Sequence, residues 1–486
     1  MILSRQEMIA AEQAAFAAGG DAEALMESAG RQIAAFVLQQ HPSPAGCLAF
    51  AGKGHNGGDV LVAARHLQGA GWPVEIRLSE PDQLAPLTAR QLERLRALEA
   101  GRRDDGALVI LDGLLGIGAS GSPRGAVAEG IQAINRLRRE RGAWVLSADL
   151  PSGLDPDSGT PSATCVVADA TMAMGFAKSC LLADAATNNV GRLAVAALDG
   201  VQAPDGADPA CVLTPALLRG LAAPREFDTH KGLAGRVAVL AGSPGFLGAA
   251  RLCSGAAVAG GAGLVTLFVK PEVYAPAAAA CAPEVMVHPV SSYAEVLESR
   301  WDAIAIGPGL SLRFSDEVLH VIRHAPGPCV VDADALNAVA GNPAVLSFSH
   351  GPRLLTPHPG EMERLMPCAG RERRRWMQDF VDRYPVTLLL KGSRTIIGEH
   401  GHPAAFNTTG HPGMASGGMG DVLAGVTAAL IAQGKGLREA AMLGAWVCGR
   451  AAEIAIASGA SQESLCAGDI TARLGRAFSA LRKGGF

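Results

Sequence analysis

The sequence predicts an α/β protein of two consecutive domains, each built on a doubly wound parallel sheet. Three observations carry this. A chain of 486 residues exceeds what one hydrophobic core supports, so two domains of roughly 200 and 270 residues are expected. Nearly half the residues are apolar (49 %) yet only 4 % are aromatic, and there are 60 glycines beside abundant alanine, a composition suited to close helix-on-sheet layers. Strand and helix signals also alternate along the chain, with one interruption.

Ser4 and Glu7 have capping-box spacing ahead of an Ala-rich helical run that ends at Gly19-Gly20, and a second helix is predicted over about Asp21 to Gln40. Strands follow near Cys47–Phe50, Val74–Leu78, Leu108–Leu111 and Trp144–Ala148, with helices near Asp59–Gly69 and Ala126–Arg141. From about Gly200 to Asp228 the composition turns to Pro, Ala, Gly and Asp, the mark of a linker. The second series has strands near Val237–Leu240, Leu264–Val269, Ala303–Ile306, Cys329–Val331, Arg353–Leu355 and Thr387–Leu390. No period of a repeat protein recurs. The uncharged stretch Leu252 to Val269 has the length of a membrane span, but its four glycines and its strand-forming end predict a buried helix running into a buried strand.

Composition also narrows the partners. The net charge of −4 offers no basic field for nucleic acid, so a small molecule is expected. Ten cysteines without a C-x-x-C pair fit neither a disulfide framework nor a zinc knuckle and read as reduced thiols. Arg5, Glu7 and Glu12 stand where a signal peptide needs an apolar stretch, and a cytoplasmic location without membrane attachment is expected. His320 and His324 have helical spacing but lack the Glu of a zincin motif, and read as surface residues.

After the first strand comes Gly52-Lys53-Gly54-His55-Asn56-Gly57-Gly58-Asp59, formally G-x-G-x-x-G, with Glu80 where a dehydrogenase would carry its ribose-binding acid. The pattern recurs at Gly116, Gly118 and Gly121, and a glycine-rich chain matches it easily, so neither copy decides the matter. The placement of polar groups says more. Asn56, Asp112 and Asp149 each follow a predicted strand, and in an open parallel sheet the carboxyl ends of the strands line one crevice. Ser152, in Asp149-Leu150-Pro151-Ser152-Gly153-Leu154-Asp155, joins them. Taken singly, Asp112 and Asp149 serve equally well as helix or turn caps.

Asn56-Gly57-Gly58-Asp59, Asp112 with Gly116-Ile117-Gly118, and the Asp149–Asp155 turn resemble the motifs of NAD(P)HX epimerases, the YjeF N-terminal family, over most of residues 1–208. This resemblance implies a Rossmann-like domain in which Asn56, Asp112 and Ser152 hold a potassium ion. It places His55, Asn56, Gly57, Gly58, Asp59 and the segment Gly116, Ile117, Gly118, Ala119, Ser120, Gly121, Ser122 against the nucleotide, and Asp149 against the hydrated ring. A carboxylate in a desolvated crevice can serve as the proton shuttle that inversion of the hydroxyl-bearing carbon needs. The chain departs from the family at His55, Val60 and Ile117, where Asn, Gly and Thr are usual, which bears on the rim of the pocket.

In the second half, Gly410-His411-Pro412-Gly413-Met414-Ala415-Ser416-Gly417-Gly418-Met419-Gly420-Asp421 leads into an apolar helix. Unpaired amides at a helix start form an anion site, and Asp421 at its mouth can take the proton of an attacking hydroxyl. The Gly-Lys pairs Gly52-Lys53 and Gly434-Lys435 are each followed by Gly, so neither belongs to a Walker A sequence. The loop resembles the ribokinase-like superfamily. Thr229–Gly232, Ala241–Ser243, Gly248-Ala249, Gly307–Leu310, Asp332–Asn337, Thr356–Glu361 and Lys391–Thr395, in that order across about residues 211–486, narrow the resemblance to ADP-dependent NAD(P)HX dehydratases. It implies that Ala249, Gly309, His358 and Asp421 meet the hydrated dinucleotide, while Lys391, Gly392, Ser393, Arg394, Thr395 and Gly420 meet ADP, which enters with Mg2+ as co-substrate. Asp332, Asp334 and His358 read equally well as turn residues.

The two resemblances together imply a bifunctional enzyme whose substrates are NADHX and NADPHX, the hydrated forms of NADH and NADPH, and assembly as a homo-oligomer is expected. The competing reading is a ribokinase-like small-molecule kinase whose first domain only binds a nucleotide or a protein.

Overall fold

The structure, a computed structural model, describes residues 1–98 and 107–484; the last two residues of the expected second domain lie outside the described residues. The chain divides into two compact units between Thr214 and Pro215, inside the compositional shift.

In the first unit, Ser4 caps the helix Arg5–Ala17 through a complete capping box with Glu7, and the Asp21 side chain caps Ala22–Gln40. The strands are β1 (Ile2–Leu3), β2 (Gly46–Ala51), β3 (Val74–Leu78), β4 (Leu108–Gly113), β5 (Trp144–Ala148), β6 (Ala170–Met174), β7 (Ala177–Lys178), β8 (Arg192–Ala196) and β9 (Cys211–Val212). Six of them form a parallel sheet in the order β3-β2-β4-β5-β6-β8, while β1 pairs with β7. Val109 and Leu111 of β4 enter a core with Ile33, Phe36, Leu61 and Leu67, whereas Ile110 between them enters another with Phe50, Ile131 and Ile134. Strand alternation therefore feeds two cores, one under each helical layer, and each fully buried aliphatic side chain contributes about 1.5–3 kcal/mol. β6 and β8 are not among the predicted strands. Ala170-Thr-Met-Ala-Met reads as a helix former, and burial within the sheet overrides that propensity.

The second unit holds β10 (Arg236–Leu240), β11 (Leu264–Val269), β12 (Val285–Pro289), β13 (Ala303–Ile306), β14 (Cys329–Val331), β15 (Arg353–Leu355), β16 (Thr387–Leu390), β17 (Ile396–Glu399) and β18 (Ala405–Phe406), in the order β12-β11-β10-β13-β14-β15-β16-β17-β18. The pairs from β12 to β16 are parallel; β17 and β18 add on antiparallel. The stretch Leu252–Val269 resolves as expected into the helix Leu247–Ala259 followed by β11. The helix Met419–Ala432 lies against that helix, backbone on backbone: a methyl on Gly425 would stand 2.1 Å from the Cys253 carbonyl oxygen. One helix among the described residues, Leu437–Ala457, is long and apolar enough to cross a membrane, and 83 % of its most apolar window is buried inside the fold.

In both sheets the chain order reverses beside the first long strand, between β2 and β4 and between β10 and β13. The loops leaving those strands diverge, and a crevice opens at their carboxyl ends.

Candidate functional site

Each crevice gathers a set of buried polar groups. In the first, Asp112 ends β4 with no exposure to solvent and accepts hydrogen bonds from Ser147 Oγ (2.8 Å), Ser152 N (2.9 Å), Ser152 Oγ (2.6 Å) and Leu114 N (3.3 Å). Burial pushes its carboxyl up, and these donors work against that rise. Asn56 lies in the first turn of the helix His55–Gly69 and donates from Nδ2 to the Leu115 (2.6 Å) and Ala148 (3.1 Å) carbonyls. Its Oδ1 is buried with no hydrogen-bond partner, an arrangement that costs about 1–3 kcal/mol unless a cation or water satisfies it. Ser152 Oγ, which donates to Asp112, also accepts from Leu115 N (2.9 Å), so Asp112 and Ser152 form one hydrogen-bonded group at the same sheet edge as Asn56.

Asp149 follows β5 in a left-handed backbone conformation (φ 63°) and is 7 % exposed. Its carboxylate is ion-paired with Lys178, which is 1 % exposed and also donates to the Met174 carbonyl (2.7 Å). Two further carboxyls share this electrostatic environment. Burial, then Asp149, then Glu12 hold Asp59 well above the ordinary carboxylate range, and burial with Asp149 raises Glu12, while Lys178 pulls both back. Lys178 and Glu12 were not singled out from the sequence. A lone lysine inside the otherwise uncharged run 170–182 is the signal that marks Lys178.

The remaining expected residues divide. Gly116, Ala119, Ser120, Gly121 and Ser122 line a cavity of about 310 Å³ closed on the other side by Leu150 and Pro151. Ile117 packs toward Leu3 and Met8, Gly118 accepts a bond from Arg5, and His55 is exposed at the helix start. Gly57 and Gly58 are buried; a methyl on Gly57 would stand 2.1 Å from the Gly52 carbonyl oxygen, so that glycine permits loop packing. Glu80 pairs with Lys53 at 3.0 Å, which occupies the group a dehydrogenase would present to a ribose. A wider hollow of about 680 Å³ between Arg65, Gly69 and Leu98 sits at the far end of the helix from these groups.

In the second crevice, Gly418 (φ 90°) starts the helix Met419–Ala432, leaving the amides of its first turn without intrahelical partners. Asp421 belongs to that turn. Its carboxyl is pushed up to about 7, first by burial and then by Asp332, with Lys391 opposing. Asp332 follows β14 and pairs with Lys391 at 2.8 Å; Glu361 lies 3.7 Å from the same ammonium. A methyl on Gly420 would be 3.1 Å from Lys391 Nζ, which places the ion pair beside the loop. His358 caps the helix Pro359–Leu365 through Nδ1 (3.0 Å to Gly360 N), so Nε2 of the half-exposed ring carries the hydrogen. Asp334 accepts from Ser311 N (2.8 Å) and steadies the loop after Gly309, and Ala249 stands on the adjoining helix Leu247–Ala259. Of the segment expected to meet ADP, Gly392 and Ser393 are exposed, Arg394 and Thr395 are buried, and Lys391 is engaged with the acids.

Four non-glycine residues among those described have left-handed φ, and three of them, Asp149, Ser311 and Ala333, stand at these two crevices. Strain of order 1–3 kcal/mol per residue is retained where the surroundings over-determine the backbone, as at binding sites.

Two doubly wound units with a charged crevice apiece define a bifunctional nucleotide-handling enzyme. Residues 22–180 match the family described as YjeF-related protein N-terminus, and residues 237–471 match the NAD(P)H-hydrate dehydratase family. The chain is 36 % identical to the bifunctional NAD(P)H-hydrate repair enzyme Nnr of Moorella thermoacetica, over 92 % of this chain and 90 % of that protein. It is 33 % identical to Nnr of Escherichia coli, over 88 % and 84 % respectively. Among solved structures it is similar to an ADP/ATP-dependent NAD(P)H-hydrate dehydratase from Bacillus subtilis co-crystallised with ATP/Mg2+. That match has a TM-score of 0.50 at 26 % identity and covers 55 % of this chain and 97 % of that one. The chain belongs to the family of bifunctional NAD(P)H-hydrate repair enzymes.

Proposed function

We propose that the first unit interconverts the R- and S-forms of NADHX and NADPHX, and that the second dehydrates the S-form at the expense of ADP, releasing AMP and phosphate. What carries this reading is a pair of carboxyl groups, each at the carboxyl edge of its own sheet: Asp149 held by Lys178, and Asp421 beside unpaired helix amides.

In the first unit, inversion needs a group that gives and takes a proton next to the hydroxyl-bearing carbon, and Asp149 is the candidate. Asn56, Asp112 and Ser152 would hold potassium, which supplies positive charge near the nucleotide; the unpartnered Asn56 Oδ1 supports the fit. In the second unit, Asp421 takes the proton of the ring hydroxyl as that oxygen attacks the β-phosphate of ADP, and AMP leaves. Magnesium bound with the nucleotide would supply positive charge at its phosphates. The C–O bond then breaks toward phosphate, and loss of a ring proton restores the dihydropyridine.

The test is to supply the purified chain with S-hydrate and ADP. The expected outcome is the return of dihydropyridine absorbance with equimolar AMP and phosphate, and with R-hydrate the same return through prior epimerisation. A stable phosphorylated product without dihydropyridine would identify a small-molecule kinase instead. Substituting ATP for ADP in the same assay measures the nucleotide preference.

A further inference from the structure

Phe246 stands in the turn between β10 and the helix Leu247–Ala259 with 61 % of its surface exposed. Its backbone is nevertheless fixed. The Phe246 amide donates to the Ser243 carbonyl (2.8 Å) and its carbonyl accepts from Ala249 N (3.2 Å). Ser243 Oγ donates to the Gly309 carbonyl (2.9 Å), and Gly242 N donates to the Pro308 carbonyl (2.9 Å). A methyl on Gly309 would lie 2.9 Å from Phe246 Cβ and 3.1 Å from Ala249 Cβ. The backbone and Cβ of Phe246 are therefore fixed against Gly309 and Ala249, two of the four residues that the family resemblance gives to the hydrated dinucleotide, at the point where the strand order reverses. Phe348 is as exposed (64 %), but it precedes β15 at the opposite, amino edge of the sheet. A lone exposed phenylalanine is ordinary on a protein surface; one whose backbone is fixed at the switch point of a parallel sheet, where ligands bind, calls for a use.

The reaction proposed for this unit creates a use for such a ring. The carbon that carries the phosphorylated oxygen is bonded to the ring nitrogen. When the C–O bond breaks, its electron pair leaves with phosphate, and the nitrogen lone pair closes a C=N bond. The ring becomes an iminium cation, flatter than the hydrate because the carbon that carried the oxygen is now trigonal. The departing phosphate takes a proton from the neighbouring ring carbon, that C–H pair forms the C=C bond, and the neutral dihydropyridine results. An aromatic face attracts a desolvated cation and stacks best on a flat ring, so it favours the iminium over the puckered hydrate. We propose that Phe246 lies against the hydrated ring and stabilises the iminium formed as phosphate departs. The proposal rests on the dehydratase reading of this unit.

The test compares Phe246→Leu, which keeps apolar bulk without an aromatic face, with Phe246→Trp, each in the full chain under single turnover with S-hydrate and ADP. The wild-type chain is assayed first, and its failure to dehydrate would overturn the dehydratase reading, a result distinct from any difference among variants. With ADP affinity and epimerisation serving as controls for folding, Phe246→Leu is expected to slow dihydropyridine formation about tenfold and to let the phosphorylated hydrate accumulate in rapid-quench samples. Phe246→Trp is expected to restore the rate. A Leu variant as fast as wild type, or one with raised KM and unchanged kcat, would overturn the proposal.

Discussion

Lys391 and Asp332 form a largely buried ion pair, Nζ 2.8 Å from Oδ1, in which only the lysine keeps some exposure, and the same ammonium reaches Glu361 at 3.7 Å. Burial alone would lower the Lys391 pKa, yet Asp332 and Glu361 outweigh it and the net direction is up. The lysine thus compensates acids inside the fold as well as standing beside the glycine-rich loop.

Lys391→Met should therefore destabilise the second unit as well as weaken ADP binding, by about 3 kcal/mol, because two acids lose their counter-ion. Calorimetric unfolding of the full chain measures this, and Lys391→Met combined with Asp332→Asn should recover part of the loss. A single variant within ~0.5 kcal/mol of wild type would show that the pair is solvated.

Asp421 yields a pH prediction with a definite sign. Its folded pKa is raised from 3.8 to about 7, so the folded state keeps the proton longer than the unfolded chain does. The stability this confers is complete below the unfolded value and is lost as pH rises through about 7. Without nucleotide, Asp421→Asn should melt higher than wild type above that pH, with the gap closing in acid. Dehydration should rise through the same range in wild type, and in the variant fall by a factor of about 100 to 10,000 with nucleotide binding retained. A variant that turns over within a few-fold of wild type would make Asp421 a helix-terminal residue only.

For the first unit, Asp149→Asn should abolish epimerisation while dehydration of the S-hydrate persists. Asn tolerates the left-handed backbone, so the change isolates the charge. It also leaves Lys178 buried without a counter-ion, at a cost of about 3 kcal/mol. Adding Lys178→Met should restore the melting temperature and leave epimerisation absent. Recovery of activity in the double variant would remove Asp149 from the chemistry.

Potassium should raise the melting temperature of the full chain relative to choline at equal ionic strength, because an ion bound there would satisfy Asn56 Oδ1. Asn56→Leu should lose that response. A shift of the same size in the variant would locate the ion elsewhere.

How far the sequence could be read depended on what each residue's neighbours add. The strands Val74–Leu78, Trp144–Ala148, Leu264–Val269 and Ala303–Ile306 were legible because β-branched and aromatic residues say strand without help from context. Ala170–Met174 was not, since its identity as a strand comes from its neighbours in the sheet. The helix expected from Asp59 begins at His55: Gly57 and Gly58 argue against helix in isolation, but a methyl on Gly57 would meet the Gly52 carbonyl and one on Gly58 the Met26 side chain. Site residues at strand ends, such as Asp112 and Asp332, could be located by counting. Lys178 and Glu12 could not, because Glu12 is on a surface-type helix and Lys178 on a strand of two residues.

The sheet order of the second unit carries a temporal consequence. β10 can complete its pairing only after β13 has been synthesised, and the helix Met419–Ala432, which supplies Asp421, packs on the helix Leu247–Ala259 from near the other end of the unit. Such long-range closure is slow compared with local helix formation, and it exposes apolar segments while it waits. Leu437–Ala457 emerges from the ribosome after all of these strands, and until it docks it is an uncovered stretch long enough for a bilayer. Slow translation through the codons of the last helices, or truncation ahead of them, should therefore send this chain toward aggregates or membranes, even though every strand of the sheet is already present.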